Sequence, residues 1–274
     1  MIKPLNHLFN WIIYSNIFVA FCVLALAMSS ALIFDSSNLK VNLFVFFATV
    51  FTYNFQRVVK ANQRKKAVNY DWFSKHKIRT YSLMLISGII TAYLFYFFQL
   101  DTQILITLSA IICILYPFVL RNIPYAKIFI ISFIWTISSM LLLIVENDII
   151  LSQNIYLHLL SRFLFVFAIT IPFDIRDMKY DESSIRTIPV IFGEPKSKWI
   201  AVFALILALL IILVQLIYFD MPSHFLIAML CLFLLASLSI INSSENKSKI
   251  YYCFWVESMS VFCYLFLILS TLLI

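Results

Sequence analysis

Glycine and charged residues are both scarce in this sequence. Gly88 and Gly193 are the only glycines among 274 residues, and charged residues make up 12% of the chain. A soluble domain carries roughly 25% charged residues, so the composition excludes a soluble globular protein. With so little glycine, close packing between helices must rely on alanine and serine.

Paired cysteines and clustered histidines are also missing. The four histidines do not cluster, and no HExxH spacing indicates zinc. The five cysteines form no CxxC pair, and we interpret them as reduced, buried small side chains without a metal or disulfide role. They all lie in apolar segments: Cys22, Cys113, Cys231, Cys253 and Cys263.

Long apolar runs dominate what is present, since 63% of the residues are hydrophobic. This predicts an all-α, polytopic membrane protein. We predict that residues 1–274 form one domain, and that the first apolar run is a retained helix and not a signal peptide. Nine segments are long enough to cross a bilayer: 11–33, 41–59, 80–99, 102–120, 126–145, 155–172, 198–219, 222–241 and 252–273.

The distribution of Lys and Arg orients these nine segments. With the N-terminus and every second loop on one side, 18 of the 20 cations fall on that side, and only Lys40 and Arg162 fall on the other. The positive-inside rule then predicts a cytoplasmic N-terminus and an outside C-terminus, which we expect in a bacterial inner membrane. The cations form short loop clusters, so we predict contact with anionic lipid or an anionic substrate head group and no nucleic acid.

Three carboxylates follow the sixth segment. Asp174, Asp177 and Asp181 are spaced i, i+3 and i+7, which places them on one face of a helix. Carboxylates at a membrane surface suit Mg²⁺ that is shared with substrate phosphates. The alternative is a solvated acidic loop.

A second polar helix end belongs to the second segment. Asn54, Arg57 and Asn62 lie where this segment reaches the same predicted side as the carboxylates. The polar ends of these two helices can therefore meet at one opening of the helix bundle. We predict that the nine helices surround a central cavity that opens there to the cytoplasm.

These motifs resemble the UbiA superfamily of intramembrane prenyltransferases. The run Asp174-Ile-Arg-Asp177-Met-Lys-Tyr-Asp181 is similar to the family's second Asp-rich motif, and Arg186 to Gly193 resembles the segment that leads into helix seven. The stretch from Tyr116 to Lys127 resembles the family's Tyr-plus-basic element. The first motif keeps Asn54, but Val58 and Asn62 stand at its two carboxylate positions, and Leu120 stands at a usual lysine position.

The resemblance implies an intramembrane prenyltransferase. It would bind an isoprenoid diphosphate through Mg²⁺ and transfer the prenyl group to an aromatic or otherwise lipophilic acceptor. Asp174, Asp177 and Asp181 would be the catalytic and metal-binding residues. The expected diphosphate-binding residues are Asn54, Arg57, Lys60, Asn62, Arg121, Lys127 and Tyr116.

The altered first motif leaves several interpretations open. Arg57 and Lys60 replace one Mg²⁺ by contacting the diphosphate directly, or they only fix the topology. The chain is a prenyltransferase, a terpene cyclase on the same scaffold, or a non-catalytic prenyl-diphosphate binder. A transporter is disfavoured because mid-membrane charges are few. Glu257, the main exception, is an interface residue or a base on the acceptor side.

Overall fold

The computed structural model describes residues 9–63, 70–178 and 186–272. Nine long helices occur in these ranges, with a short helix Tyr70–Lys75 between the second and third. No strand occurs in the same ranges. The nine helices are α1 Ile17–Ile33, α2 Leu39–Gln63, α3 Lys77–Phe95, α4 Leu100–Leu115, α5 Ala126–Glu146, α6 Gln153–Asp177, α7 Ile188–Tyr218, α8 Ser223–Ile241 and α9 Tyr251–Leu272.

Helix length and composition suit a membrane. Six of the helices, α3 and α5 to α9, are long and apolar enough to span a bilayer. Helices α1 and α4 are apolar but shorter, with 17 and 16 residues, and α2 has 25 residues with polar positions near its C-terminal end. About 20 residues match a hydrocarbon core of about 30 Å. The all-α, multi-pass architecture predicted from the apolar segments is confirmed.

The helices pack as a closed ring. Successive helices contact one another from α4 through α9, and α2 contacts α1, α3 and α4. The ring closes because α9 packs along α1. Large apolar side chains remain exposed on the bundle, as on a surface that contacts lipid, and examples are Ile89, Leu108, Leu210 and Leu234.

Two helix boundaries differ from the apolar segments. Helix α6 continues beyond residue 172 to Asp177, and α7 begins at Ile188, ten residues before the predicted start. Hydropathy marks only the apolar part of a helix, so polar turns at its ends go undetected. The early part of α7 is set off by Gly193, whose φ of 77° and ψ of 163° break the helical conformation.

A buried arginine joins three helices inside the ring. Arg162, which the cation count assigned to the far side, lies within α6 and is 5% exposed. Its Nη2 donates to the hydroxyls of Ser29 at 2.7 Å and Ser30 at 3.2 Å on α1. The Cys263 side chain of α9 interacts electrostatically with the same guanidinium. The guanidinium thus links α6 to the α1–α9 seam.

The end of the bundle where α2 begins is held by a second polar network. Lys40 of α2 forms an ion pair with Glu146 at the end of α5 and donates to the Phe97 carbonyl at 2.7 Å. The backbone N–H of Gln99 donates to Glu146 at 3.2 Å. This network joins α2, the α3–α4 connection and α5.

Candidate functional site

The last turn of α6 carries two carboxylates close to one lysine. Asp174 is 1% exposed, and Asp177 lies one turn further on. The Nζ of Lys127, from the first turn of α5, lies 2.6 Å from Asp174 Oδ1 and 3.8 Å from Asp177 Oδ2. The predicted shared face of these two aspartates is therefore present. We call this end of the bundle, where α2 and α6 end and α5, α7 and α9 begin, the carboxylate end.

Arg176 completes the contacts of Asp177. Its Nε lies 2.7 Å from Asp177 Oδ1, and its Nη1 lies 3.6 Å from the Cys253 sulfur. The guanidinium carbon lies 5.3 Å from the centre of the Phe173 ring and 5.7 Å from that of Tyr252. Two aromatic rings and a carboxylate thus fix the position of this cation.

The surrounding side chains make the carboxylate end positive. Lys60 of α2 interacts electrostatically with Arg121, Lys127 and Arg176, and with the Asp177 carboxylate. Positive side chains that lie close together repel one another, which costs free energy unless an anion lies between them. Among the described residues, Lys127 and Arg176 contact the two carboxylates, and the basic side chains of Lys60 and Arg121 lie near enough to interact electrostatically with this group, an arrangement that suits an additional anion. We call it the cation–carboxylate cluster: Lys60, Arg121, Lys127, Asp174, Arg176 and Asp177.

Asn54 and Arg57 face the N-terminal segment. Asn54 is fully buried; its Nδ2 donates to the carbonyls of Ser15 at 3.0 Å and Val50 at 2.9 Å, and its Oδ1 accepts from Asn16 at 3.2 Å. Arg57 donates to the Tyr14 carbonyl and, at 2.5 Å, to Asn16 Oδ1. Both side chains thus stabilise the turn at Ser15 and Asn16, which precedes α1 and in which Asn16 has a φ of 64°.

The other predicted site residues occupy different positions. Asn62 is exposed at the end of α2, and Tyr116 is buried at the end of α4. Arg121 lies in the turn Leu120–Asn122, just before α5. That junction is tied to the segment entering α7, because the N–H of Tyr125 donates to the Arg186 carbonyl at 3.0 Å. Asp181 lies outside the described residues.

The carboxylates fit part of a site for a divalent cation. Within residues 9–63, 70–178 and 186–272, no group of three His, Cys, Asp or Glu side chains converges. Asp174 and Asp177 nevertheless both reach the Lys127 ammonium, so both also suit one hard cation. The described donor set is therefore a pair of carboxylates, Asp174 and Asp177.

A second layer of polar groups lies deeper in the bundle, and of its members only Glu257 stands out in the sequence as an unusual charge. Tyr53 of α2 accepts a hydrogen bond from the indole N–H of Trp135 at 3.0 Å. Glu257 of α9 interacts electrostatically with Tyr53 and with Cys22 of α1. Tyr53 precedes Lys60 by two helical turns, so this layer lies about 10 Å below the cluster. Aromatic residues are abundant in this chain, and composition could not single these out.

Comparison with known families agrees with this architecture. Residues 74–259, more than half of the chain, match the model of the UbiA prenyltransferase family. The chain belongs to the UbiA prenyltransferase family. No curated protein sequence matches it.

Solved structures show that the UbiA fold extends over almost the whole chain. A UbiA homologue from Aeropyrum pernix K1 has a TM-score of 0.65 at 11% identity and covers 93% of this chain and 97% of its own. A homologue from Archaeoglobus fulgidus, bound to GPP and Mg²⁺, has a TM-score of 0.60 at 12% identity and covers 92% and 96%. A digeranylgeranylglyceryl phosphate synthase has a TM-score of 0.62 at 18% identity and covers 96% of both chains.

The surroundings of Val58 in the first motif are apolar. Val58, which the sequence resemblance assigned to a carboxylate position of that motif, packs with Ala61 and Phe73 in a small buried cluster. A carboxylate at this position would be buried among apolar side chains, which is costly without a partner. The substitution at Val58 is therefore consistent with the local packing between α2 and the chain that follows it.

Proposed function

We propose that this chain binds an isoprenoid diphosphate at the cation–carboxylate cluster and transfers the prenyl group to a lipophilic acceptor in the membrane. One observation carries the proposal: Lys127 and Arg176 contact two aspartates at one end of a UbiA ring, with Lys60 and Arg121 as further basic neighbours. The GPP and Mg²⁺ bound to the Archaeoglobus fulgidus homologue support the choice of ligand.

Each group in the cluster has a distinct task in this proposal. Lys60, Lys127 and Arg121 contact oxygens of the diphosphate and stabilise the negative charge that grows as the allylic C–O bond breaks. Arg176 holds Asp177 in place through the 2.7 Å contact. Asp174 and Asp177, with Asp181, would hold Mg²⁺, which supplies further charge neutralisation for the leaving diphosphate.

The deeper layer suits the hydrocarbon part of the substrate. Tyr53 and Trp135 present aromatic rings there, and ring faces attract a developing allylic cation. The acceptor would approach the allylic carbon from the same interior. The altered first motif supports a variant of the proposal in which diphosphate is bound without turnover.

Binding of geranyl diphosphate to the purified protein in nanodiscs tests the proposal. We expect Mg²⁺ to tighten the binding of geranyl diphosphate to the parent. In Asp177→Asn this Mg²⁺-dependent gain in affinity should be at least tenfold smaller, because a metal ligand is lost. Glu194→Gln is the matched control, since Glu194 pairs with Lys198 on α7. Equal affinity of the parent and Asp177→Asn, with and without chelator, would contradict the assignment.

Lipid extraction from cells with and without the protein separates the possible activities. A new prenylated product supports transfer, whereas a cyclised hydrocarbon indicates a terpene cyclase. Diphosphate binding with an unchanged lipid profile identifies a non-catalytic binder.

A further inference from the structure

Arg162 is a cation in the middle of a membrane-spanning helix. It lies nine residues into α6, about 13 Å from the start of that helix, and twelve residues, about 18 Å, before Asp174. The residue is 5% exposed. The guanidinium is therefore separate from the cation–carboxylate cluster and from both ends of the helix.

No carboxylate neutralises the charge of Arg162 within the part of the chain that the structure describes. The ion pairs there belong to Lys40, Lys127, Arg176 and Lys198. A charged side chain inside a membrane protein is costly unless an opposite charge lies beside it. Arginine keeps its proton under ordinary conditions, so it cannot lower this cost by becoming neutral. The position therefore favours an anion.

Serine hydroxyls satisfy only one side of the guanidinium. Nη2 donates to Ser29 and Ser30, whose hydroxyls donate in turn to backbone carbonyls, Ser29 to Leu26 at 2.7 Å and Ser30 to Ser139 at 2.7 Å. Nη1 is buried and has no hydrogen-bond partner within residues 9–63, 70–178 and 186–272. The hydroxyls thus supply lone pairs to one nitrogen but no negative charge, and the other nitrogen keeps its hydrogens for a ligand.

Further buried hydroxyls lie on the neighbouring helices. Ser139, whose carbonyl accepts from Ser30, belongs to the π-helical turn Ile137–Leu141 of α5, and turns of this kind occur frequently at functional sites. Its own hydroxyl and that of Ser260 on α9 have no partner among the described residues. Ser260 precedes by one turn Cys263, which interacts electrostatically with the guanidinium. Donors from α5, α6 and α9 are therefore available in this part of the bundle.

We propose that Arg162 binds a small monovalent anion such as chloride inside the bundle, with the hydroxyls of Ser139 and Ser260 as further donors. The ion accepts from Nη1 and neutralises the guanidinium charge. A divalent anion would leave an excess negative charge in the same low-dielectric interior. All three residues are at most 5% exposed, which favours a single-atom ion over the head group of a lipid. The anion stabilises the junction of α5, α6 and α9, and its binding is independent of the proposed function.

Thermal unfolding of the full chain in detergent tests the anion site. The protein is heated in sodium chloride, sodium bromide and sodium gluconate at one ionic strength, and gluconate is the anion too large for the site. We expect the melting temperature to be at least about 3 °C higher in chloride and in bromide than in gluconate, because a ligand that binds only the folded state stabilises it. In Arg162→Gln this difference should disappear. Arg79 is exposed on α3, so Arg79→Gln is the matched control and should keep the response.

Two results overturn the inference. One is an equal melting temperature of the parent in chloride and in gluconate. The other is a chloride response that persists unchanged in Arg162→Gln, since the ion would then bind elsewhere, for example at the cation–carboxylate cluster. If Arg162→Gln fails to fold, crystals of the parent grown in bromide decide the question. Anomalous scattering beside Arg162 Nη1 supports the site, and its absence there overturns it.

Discussion

Lys60 and Arg57 lie one helical turn apart on α2 but face different partners. Arg57 donates to Tyr14 and Asn16, whereas Lys60 interacts with the cations and the carboxylate of the cluster. The sequence predicted that both could bind diphosphate, since residues three apart share a helix face. It could not show the partners of Arg57, because the break at Asn16 is set by long-range packing.

Single alanine variants of these two cations should therefore differ. We expect Lys60→Ala to weaken geranyl diphosphate binding in chelator by roughly tenfold to a hundredfold, because a charge-assisted contact contributes about 1.5–3 kcal/mol. Arg57→Ala should instead lower the melting temperature, because the Tyr14 carbonyl and Asn16 lose their donor. If Arg57→Ala matches Lys60→Ala in lost affinity and melts like the parent, the guanidinium contacts the diphosphate directly.

The spacing of acidic residues was the most informative sequence signal at the site. Asp174 and Asp177 lie together as their spacing predicted, while Asp181 lies outside the described residues. The pairing of Asp174 with Lys127 joins α6 to α5, and no local pattern in the sequence contains that contact. Glu257 was visible as an unusual charge, but its neighbours on α1, α2 and α6 depend on the closed ring.

Helix α7 shows how a helix can be extended beyond its apolar part. Its first turn, Ile188 to Phe192, lies before Gly193, and the long apolar stretch follows. Gly193 adopts a φ of 77° with a ψ of 163°, a conformation that is essentially confined to glycine. The glycine therefore sets the direction in which the chain from α6 enters α7.

Substitution of Gly193 should destabilise the protein. We expect Gly193→Ala to cost about 1–3 kcal/mol, because a side chain is strained in this backbone region even though the added Cβ would meet only Pro195 Cδ, at an ordinary 3.9 Å. Unfolding of the purified protein in detergent measures the change. Gly88→Ala is the comparison: an added Cβ there meets the movable Phe51 ring at 3.1 Å, with no unusual φ. Unchanged stability of Gly193→Ala would show that the bend is not strained.

The bundle as a whole has an uneven charge distribution. The cation–carboxylate cluster lies at one end. Among the described residues, the other end carries only Lys40, which is paired with Glu146. Arg162, the second cation expected on the far side, is buried within α6 and does not compete in orienting the protein. The asymmetry therefore favours a cytoplasmic carboxylate end.

Reporter fusions test this orientation. A reporter fused after Ile274 should read as outside, because nine crossings separate it from a cytoplasmic N-terminus. A fusion that ends at Ser244, between α8 and α9, should read as cytoplasmic and serves as the matched partner. The reverse pair of readings, or the same reading for both fusions, would show that the proposed orientation or helix count is wrong.

Contact between α1 and α9 also determines the order in which this protein can be built. At about 5–20 residues per second, ribosomal synthesis of the chain between these helices takes roughly 10–50 s. Until α9 is made, the contact that closes the ring against α1 is missing. Ser29 and Arg162 line the seam that α9 completes, and Cys263 reaches them only with the final helix. A nascent chain therefore has no sealed interior until its translation is almost finished.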